Sequence, residues 1–157
     1  MNVLMLLTPK SEVCCLTDGC TLRQGLEKMR ARGYTAVPVI AKDGRYAGSV
    51  NEGDFLRYIA AHAAEGDLVK LLESARLGEI LRPDYNPAVT VGVEMDALVR
   101  RAENQNFIPV TDDPGTFIGI VTRKRIIAAL ADAVNAKLRP AEKADLLPRR
   151  EASGQSL

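Results

Sequence analysis

Two stretches of the chain are near copies: residues 36–50 read AVPVIAKDGRYAGSV and residues 107–121 read FIPVTDDPGTFIGIV. They align without a gap at an offset of 71 residues, so that Pro38 falls on Pro109 and the two glycines of each stretch coincide. Each copy has an apolar run, a turn rich in Asp and Gly, and a second apolar run, which is the pattern of a β-hairpin. An ungapped match of this kind indicates an internal repeat.

The sequence around each hairpin follows one plan. A short β-rich run comes first, at 13–16 and 88–91, and a helix follows. In the first copy the helix stops at Gly33, which can adopt a positive φ. After the hairpin a second helix is expected, at 52–64 and 123–138. One β-α-β-β-α copy is too small to bury both faces of its sheet. We therefore predict an α/β (α+β) fold in which two tandem repeats pack as one pseudo-twofold module.

The repeats also divide the chain into segments. We expect repeat one at 1–66, a helical linker at 67–83, repeat two at 84–138 and a polar tail at 139–157. The composition of the tail is typical of a flexible segment, and the alternative is a segment that orders on a partner.

Composition excludes several classes of protein. The 46% hydrophobic residues include few aromatics and no Trp, so an aliphatic core is expected. A net charge of +1 gives no global electrostatic reason to expect direct binding to nucleic acid or membrane. Three cysteines at 14, 15 and 20 and one histidine offer too few spaced ligands for zinc, so no metal is expected. Apolar residues 1–7 are too short for a signal peptide, and a cytoplasmic protein is expected.

A catalytic constellation is not evident in the sequence. His62 lies between alanines near the end of a predicted helix, and the adjacent carboxylates Asp112 and Asp113 lie in a turn. There is no Walker A loop and no GxGxxG motif. We therefore predict that the protein is not an enzyme and requires no cofactor.

The two repeats resemble the CBS domain. The segments GYTAVPVIAKDGRYAGSVNEGDFLRYI (33–59) and NFIPVTDDPGTFIGIVTRKRIIAAL (106–130) both resemble its pattern of an apolar-Pro-Val strand, a Gly turn and a helix start of the form Gly-apolar-apolar-Thr/Ser-x-x-Asp. The resemblance implies a Bateman module that binds an adenine nucleotide between its repeats, forms a homodimer and signals to a partner protein. The GYTA segment and the basic run after Thr122 are also similar to short stand-alone bacterial CBS proteins, some of which are cyclic di-AMP receptors.

Thr122 and the basic residues after it predict a phosphate site. Thr122 lies where a strand passes into a helix, so its hydroxyl can cap the helix and a phosphate would be favoured at the helix start. Arg123 and Arg125 add cations that oppose the helix dipole unless an anion is bound. The alternative interpretation is a solvated basic turn.

The family's ribose-binding pattern is divided between the repeats. Repeat one has Asp54 at the Asp position but Asn51 at the Thr/Ser position, and repeat two has Thr122 but Arg125. Arg125 removes an acceptor for ribose and supplies a donor for phosphate, which favours a cyclic dinucleotide over AMP or ATP.

The resemblance also implies that adenine contacts backbone beside the Pro-containing strands. The residues concerned are Thr35, Ala36, Val37, Asn106, Phe107 and Ile108. Ala36 either leaves room for a base or is simple strand packing, and Phe107 either stacks on a base or belongs to the core. A scaffold or dimerisation module that binds no ligand is the alternative function, since neither repeat has the complete Thr-x-x-Asp pair.

Overall fold

The computed structural model describes residues 1–138, and the predicted polar tail at 139–157 lies outside the described residues. Within residues 1–138 the chain forms five α-helices and seven strands. In chain order these are β1 (Thr8–Pro9), β2 (Leu16–Thr17), α1 (Leu22–Arg32), β3 (Ala36–Ile40), β4 (Tyr46–Asn51), α2 (Glu52–His62), α3 (Leu68–Ser74), β5 (Val89–Thr90), α4 (Met95–Asn104), β6 (Phe107–Thr111), β7 (Phe117–Thr122) and α5 (Arg123–Lys137).

Each repeat builds its own sheet. In the first sheet β2 pairs parallel to β3, and β3 pairs antiparallel to β4. In the second sheet β5 pairs parallel to β6, and β6 pairs antiparallel to β7. The two β-α-β-β-α units therefore have the same connections, and the predicted duplicated α/β fold is confirmed.

The start of the chain crosses to the other repeat. Strand β1 pairs antiparallel with β7, with Thr8 opposite Ile120 and Pro9 opposite Gly119. A Cβ on Gly119 would lie 2.2 Å from the carbonyl oxygen of Thr8. Only glycine therefore permits this close approach of the two backbones.

The first helix begins and ends as its residues dictate. Thr21 Oγ1 accepts a hydrogen bond from Gln24 N at 3.1 Å, and Gln24 Oε1 accepts one from Thr21 N at 2.9 Å. This reciprocal capping box satisfies two otherwise unpaired N–H groups. Gly33 ends α1 with a φ of 70° in the left-handed region.

The segment between the repeats packs onto repeat one. Helix α3 is followed by a 3-10 turn at Leu77–Ile80, and Leu77 is fully buried with Leu22, Met29 and Phe55. Leu77 N also donates to Cys20 O at 2.9 Å. The segment predicted as a helical linker thus supplies apolar side chains to the first core.

The two hairpin turns meet in a pseudo-twofold arrangement. Tyr46 N donates to Gly115 O at 3.1 Å, and Phe117 N donates to Gly44 O at 3.0 Å. The rings of Tyr46 and Phe117 stack with centroids 6.1 Å apart. Equivalent residues of the repeats therefore contact each other across the pseudo-twofold axis.

A second compact unit starts at Ile127. Its described part is the remainder of α5, on which Ile127, Leu130 and Val134 form an exposed apolar stripe at helical spacing. Across residues 1–138, no helix is both long and apolar enough to span a membrane.

Candidate functional site

An open cavity of about 340 Å³ lies between the repeats within residues 1–126. We refer to it as the open cavity. Its wall is formed by the N-terminal segment, by the α1–β3 connection and by the second sheet, through the residues Thr8, Glu12, Val13, Cys14, Gly33, Tyr34, Thr35, Ala36, Val37, Pro38, Asn106, Phe107, Ile120 and Thr122. Most of this wall is apolar, with backbone and a few polar side chains at its edges, as in small-molecule sites.

Six of the predicted site residues line the open cavity together. They are Thr35, Ala36, Val37, Asn106, Phe107 and Thr122. The first three lie where α1 passes into β3, and the other three lie at the start of β6 and the end of β7. Residues from both repeats are therefore brought to one cavity.

The hydroxyl of Thr122 caps α5. Thr122 Oγ1 accepts a hydrogen bond from Arg125 N at 3.3 Å. Thr122 is half-buried in the cavity wall, so the start of α5 and its partial positive charge lie beside the cavity.

The two arginines after Thr122 do not line the open cavity. Arg125 donates through Nη1 to the carbonyl oxygens of Leu6 and Leu7, at 3.4 and 3.2 Å. It therefore holds the N-terminal segment against α5. The Nε of Arg123 is buried and has no hydrogen-bond partner among residues 1–138.

Several residues of the wall were not predicted. Tyr34 is 49% exposed and lies at the cavity edge beside Gly33. Glu12 and Cys14 come from the segment before β2. Tyr34 is part of the GYTA segment and could have been selected from it, whereas nothing in the local sequence distinguishes Glu12.

The sheet registers show which residues are equivalent in the two repeats. Leu16 pairs with Val39 and Val89 pairs with Val110, and Val39 and Val110 are aligned in the repeats. Counting back from these strands makes Arg82 equivalent to Pro9 and Tyr85 equivalent to Glu12. The glycines agree, because Gly119 approaches Thr8 while Gly48 approaches the equivalent Leu81.

The cleft equivalent to the open cavity is filled by the chain itself, and we call it the closed cleft. Asn51, the equivalent of Thr122, donates through Nδ2 to the hydroxyl of Tyr85 at 3.2 Å. The guanidinium of Arg82 lies 3.5 Å above the ring of Tyr85. The same Arg82 forms an ion pair with Asp54, with Nε 2.6 Å from Oδ1.

Asp54 is fully engaged in the closed cleft. Its side chain is 2% exposed and forms ion pairs with both Arg57 and Arg82. Its Oδ2 also accepts a hydrogen bond from Asn51 N at 2.8 Å, which closes a capping box at the start of α2. The Asp54 carboxylate is therefore buried and paired with groups of the same chain, which gives it a structural role.

A buried hydrogen-bond network continues the closed cleft between the repeats. Asn86 donates to Ser49 Oγ at 3.3 Å and to the carbonyl oxygen of Phe107 at 3.2 Å. Tyr46 donates to the carbonyl oxygen of Asn86 at 2.7 Å, and burial raises the pKa of Tyr46 to about 12. The buried polar groups of this network therefore have hydrogen-bond partners within the contact between the repeats.

Three further predicted site residues, Asn51, Asp54 and Ile108, do not line the open cavity. Asn51 and Asp54 belong to the closed cleft, and Ile108 is fully buried in the second sheet. Phe107 faces the cavity but is only 9% exposed, so it serves the core as well.

The three cysteines are free thiols. Cys14 lines the open cavity, while burial and the neighbouring Cys14 raise the pKa of Cys15 to about 11. Among residues 1–138, no three His, Cys, Asp or Glu side chains converge as metal ligands would.

Comparison with known sequences identifies the repeat. A model of the CBS domain matches residues 7–61 and again residues 77–132. The chain belongs to the CBS domain family. Its paired repeats form a Bateman module, as the sequence predicted.

Homoserine O-acetyltransferase of Methanohalophilus mahii is 29% identical to the CBS pair over 119 residues, which are 74% of this chain and 22% of the acetyltransferase. The chain thus spans less than a quarter of the length of that curated relative.

Two solved structures have a similar fold. The crystal structure of CbpB in complex with c-di-AMP has a TM-score of 0.77 at 20% identity, covering 87% of this chain and 88% of CbpB. That of CBSX2 in complex with AMP has a TM-score of 0.68 at 21% identity, covering 85% and 98%. These likenesses confirm the architecture of the CBS pair.

Proposed function

We propose that this CBS pair is a cytoplasmic regulatory protein that binds an adenine nucleotide in the open cavity. The observation that carries the proposal is the cavity itself, about 340 Å³ between two repeats, with the start of α5 at its edge. A volume of roughly 300–1,000 Å³ is typical of small-molecule sites.

The wall suits a nucleoside. Ala36 keeps one side of the cavity clear of bulky side chains, and Phe107 supplies an aromatic group on the other repeat. Tyr34 adds a second, more exposed ring at the edge. Flat heteroaromatic rings bind well between apolar and aromatic groups, with backbone groups supplying hydrogen bonds.

The two solved neighbours support the ligand class, since one was crystallised with c-di-AMP and the other with AMP. The cavity has room for one nucleoside, so the second nucleotide of cyclic di-AMP would extend beyond it. Arg125 Nη1 donates to the carbonyls of Leu6 and Leu7, so a preference for the cyclic dinucleotide through Arg125 requires its guanidinium to leave these partners. AMP, ATP and cyclic di-AMP are therefore the three candidates.

A scaffold that binds no ligand is the second candidate function. The closed cleft favours it, because there the equivalent space is filled by Arg82 and Tyr85 of the same chain. One self-filled cleft is consistent with a module that serves mainly to join proteins.

The regulatory output is proposed to pass through a homodimer and a partner protein. A groove of about 620 Å³ between α1 and α2 is lined by Leu26, Phe55, Leu56 and Ile59. Leu56 is 67% exposed in the single chain. An apolar groove of this kind supports a protein–protein contact on this face of repeat one.

Isothermal titration with AMP, ADP, ATP and cyclic di-AMP, all at one salt concentration, tests the proposed function. We expect at least one of them to bind with a Kd below about 100 μM. Absence of heat and of any thermal stabilisation at about 1 mM nucleotide would favour the scaffold.

A further inference from the structure

A second, polar pocket adjoins the open cavity. It measures about 260 Å³ and shares Glu12, Val13, Cys14 and Tyr34 with the wall of the open cavity. Its remaining wall contains the cations of Lys10, Lys28 and Arg32, together with Ser11 and Cys15. We refer to it as the basic pocket. The two spaces are therefore adjacent, so that one extended ligand can contact both.

Three cations and one carboxylate-bearing residue, Glu12, line the basic pocket. Lys10 comes from the 3-10 turn after β1, and Lys28 and Arg32 come from α1. All three are exposed, and none forms an ion pair within residues 1–138. Lys28 Nζ is oriented towards this segment because it donates to Cys15 O at 2.8 Å.

The local helix alone does not explain this arrangement. Lys28 and Arg32 are four residues apart on α1, where like charges destabilise a helix. Cations in the last turn interact favourably with the helix dipole, but that does not account for Lys10, which approaches from another segment. A bound anion would offset the repulsion among all three.

Glu12 lies at the junction of the two spaces. Glu12 lines both the open cavity and the basic pocket. An ionised carboxylate accepts hydrogen bonds and repels phosphate, so it suits a ribose hydroxyl. Asp54, at the family's ribose position, is instead held by Arg57 and Arg82 in the closed cleft.

We infer that the bound nucleotide extends from the open cavity into the basic pocket. Its ribose lies beside Glu12 and its phosphates lie in the basic pocket. The inference rests on the proposed function, since it takes the base to be bound by the open cavity. The phosphate site is then formed by Lys10, Lys28 and Arg32, and the ligand class is an adenosine phosphate with an extended anionic chain. Arg125 has no direct part in this site.

The test compares two double variants that remove the same charge. Lys10→Gln with Arg32→Gln alters the basic pocket, and Lys42→Gln with Arg100→Gln removes two exposed cations elsewhere. We expect the first to weaken AMP, ADP and ATP binding about tenfold or more, with the largest loss for ATP, and the second to bind as the wild type does. Adenosine binding should be equal in all three proteins. Equal nucleotide binding by both double variants overturns the inference.

Glu12→Gln gives an independent readout. The wild type should prefer AMP over 2′-deoxy-AMP, and we expect the variant to lose most of that preference, about fivefold to tenfold. An unchanged preference in the variant contradicts the ribose position. If the wild type binds none of the nucleotides, the proposed function and the inference fail together. If it binds them and both basic-pocket readouts are unchanged, only the inference fails.

Discussion

Asn51 and Thr122 are equivalent residues with different surroundings. Thr122 lines the open cavity, and within residues 1–138 its hydroxyl forms a side-chain hydrogen bond only with its own helix, at Arg125 N. Asn51 contacts the hydroxyl of Tyr85 from the segment that enters repeat two. Two clefts related by the same internal repeat have thus diverged into one that can receive a ligand and one that the chain occupies itself.

The difference between the two clefts follows from the residues that precede β2 in repeat one and β5 in repeat two. Repeat one is entered by Pro9 and Glu12, and repeat two is entered by the equivalent Arg82 and Tyr85. Arg82 and Tyr85 have larger side chains than Pro9 and Glu12 and extend into the closed cleft, where Arg82 forms an ion pair with Asp54. Occupation of a cleft is therefore decided by short entering segments and not by the strands that form its walls.

The largest expected effect comes from breaking the closed cleft. Arg82→Leu leaves the Asp54 carboxylate, 2% exposed, with one of its two arginine partners. We expect a loss of about 3 kcal/mol in the free energy of unfolding, measured by urea titration.

Arg100→Leu is the matched control for Arg82→Leu. Arg100 also pairs with an aspartate, Asp96, but its side chain is 79% exposed. Its replacement should cost no more than about 0.5 kcal/mol. Equal losses in the two variants would show that the Arg82 pair does not hold the closed cleft together.

The next effect concerns the glycines behind the two clefts. A Cβ at Gly119 would clash with the Thr8 carbonyl oxygen at 2.2 Å, whereas one at Gly48 would meet the flexible end of Leu81 at 3.3 Å. Gly119→Ala should therefore lower the free energy of unfolding by about 2 kcal/mol more than Gly48→Ala. Equal values in thermal and urea unfolding would contradict the crossing of β1 to the second sheet.

The repeat made much of this fold predictable. Two hairpins with the same proline and glycines gave the strands β3, β4, β6 and β7 and the helices that flank them. Gly33 predicts the end of α1 because the residue after a helix often adopts a positive φ, which glycine accepts most readily. These features depend on local sequence, which a single chain displays directly.

The crossing of β1 and the closed cleft could not be predicted in the same way. A strand of two residues has no periodicity, and its partner β7 lies more than one hundred residues away. The contacts of Arg82 and Tyr85 are also set by tertiary packing. Local sequence therefore predicts Asn51 and Asp54 in a nucleotide site, and the structure places both side chains in contact with Tyr85 and Arg82 of the closed cleft.

The next prediction concerns the open cavity, where a larger side chain should reduce nucleotide affinity. Ala36→Leu places a larger side chain in the cavity wall, and we expect nucleotide affinity to fall at least about tenfold. Ala47→Leu makes the same change at an exposed position of the same sheet and should leave affinity unchanged. Titration of both variants with the tightest nucleotide gives the result. Equal affinities would place the ligand elsewhere.

The smallest expected effect is a pH dependence of the free energy of unfolding, which arises from Tyr46 beside the closed cleft. The pKa of Tyr46 is raised to about 12 by burial, above the ordinary value of 10, so the fold favours the neutral phenol. This stabilisation is fully present below about pH 10 and is lost as pH rises towards 12. Between about pH 10 and 12, the wild type should lose more stability than Tyr46→Phe. Parallel losses in the two proteins would show that the phenol is not desolvated.

The stoichiometry of nucleotide binding tests the difference between the clefts most directly. Isothermal titration of the wild-type chain with its tightest adenine nucleotide gives both the affinity and the number of sites. One open cavity and one closed cleft predict at most one nucleotide per chain. Two nucleotides per chain would contradict the account, because the second would have to enter the space held by Arg82 and Tyr85.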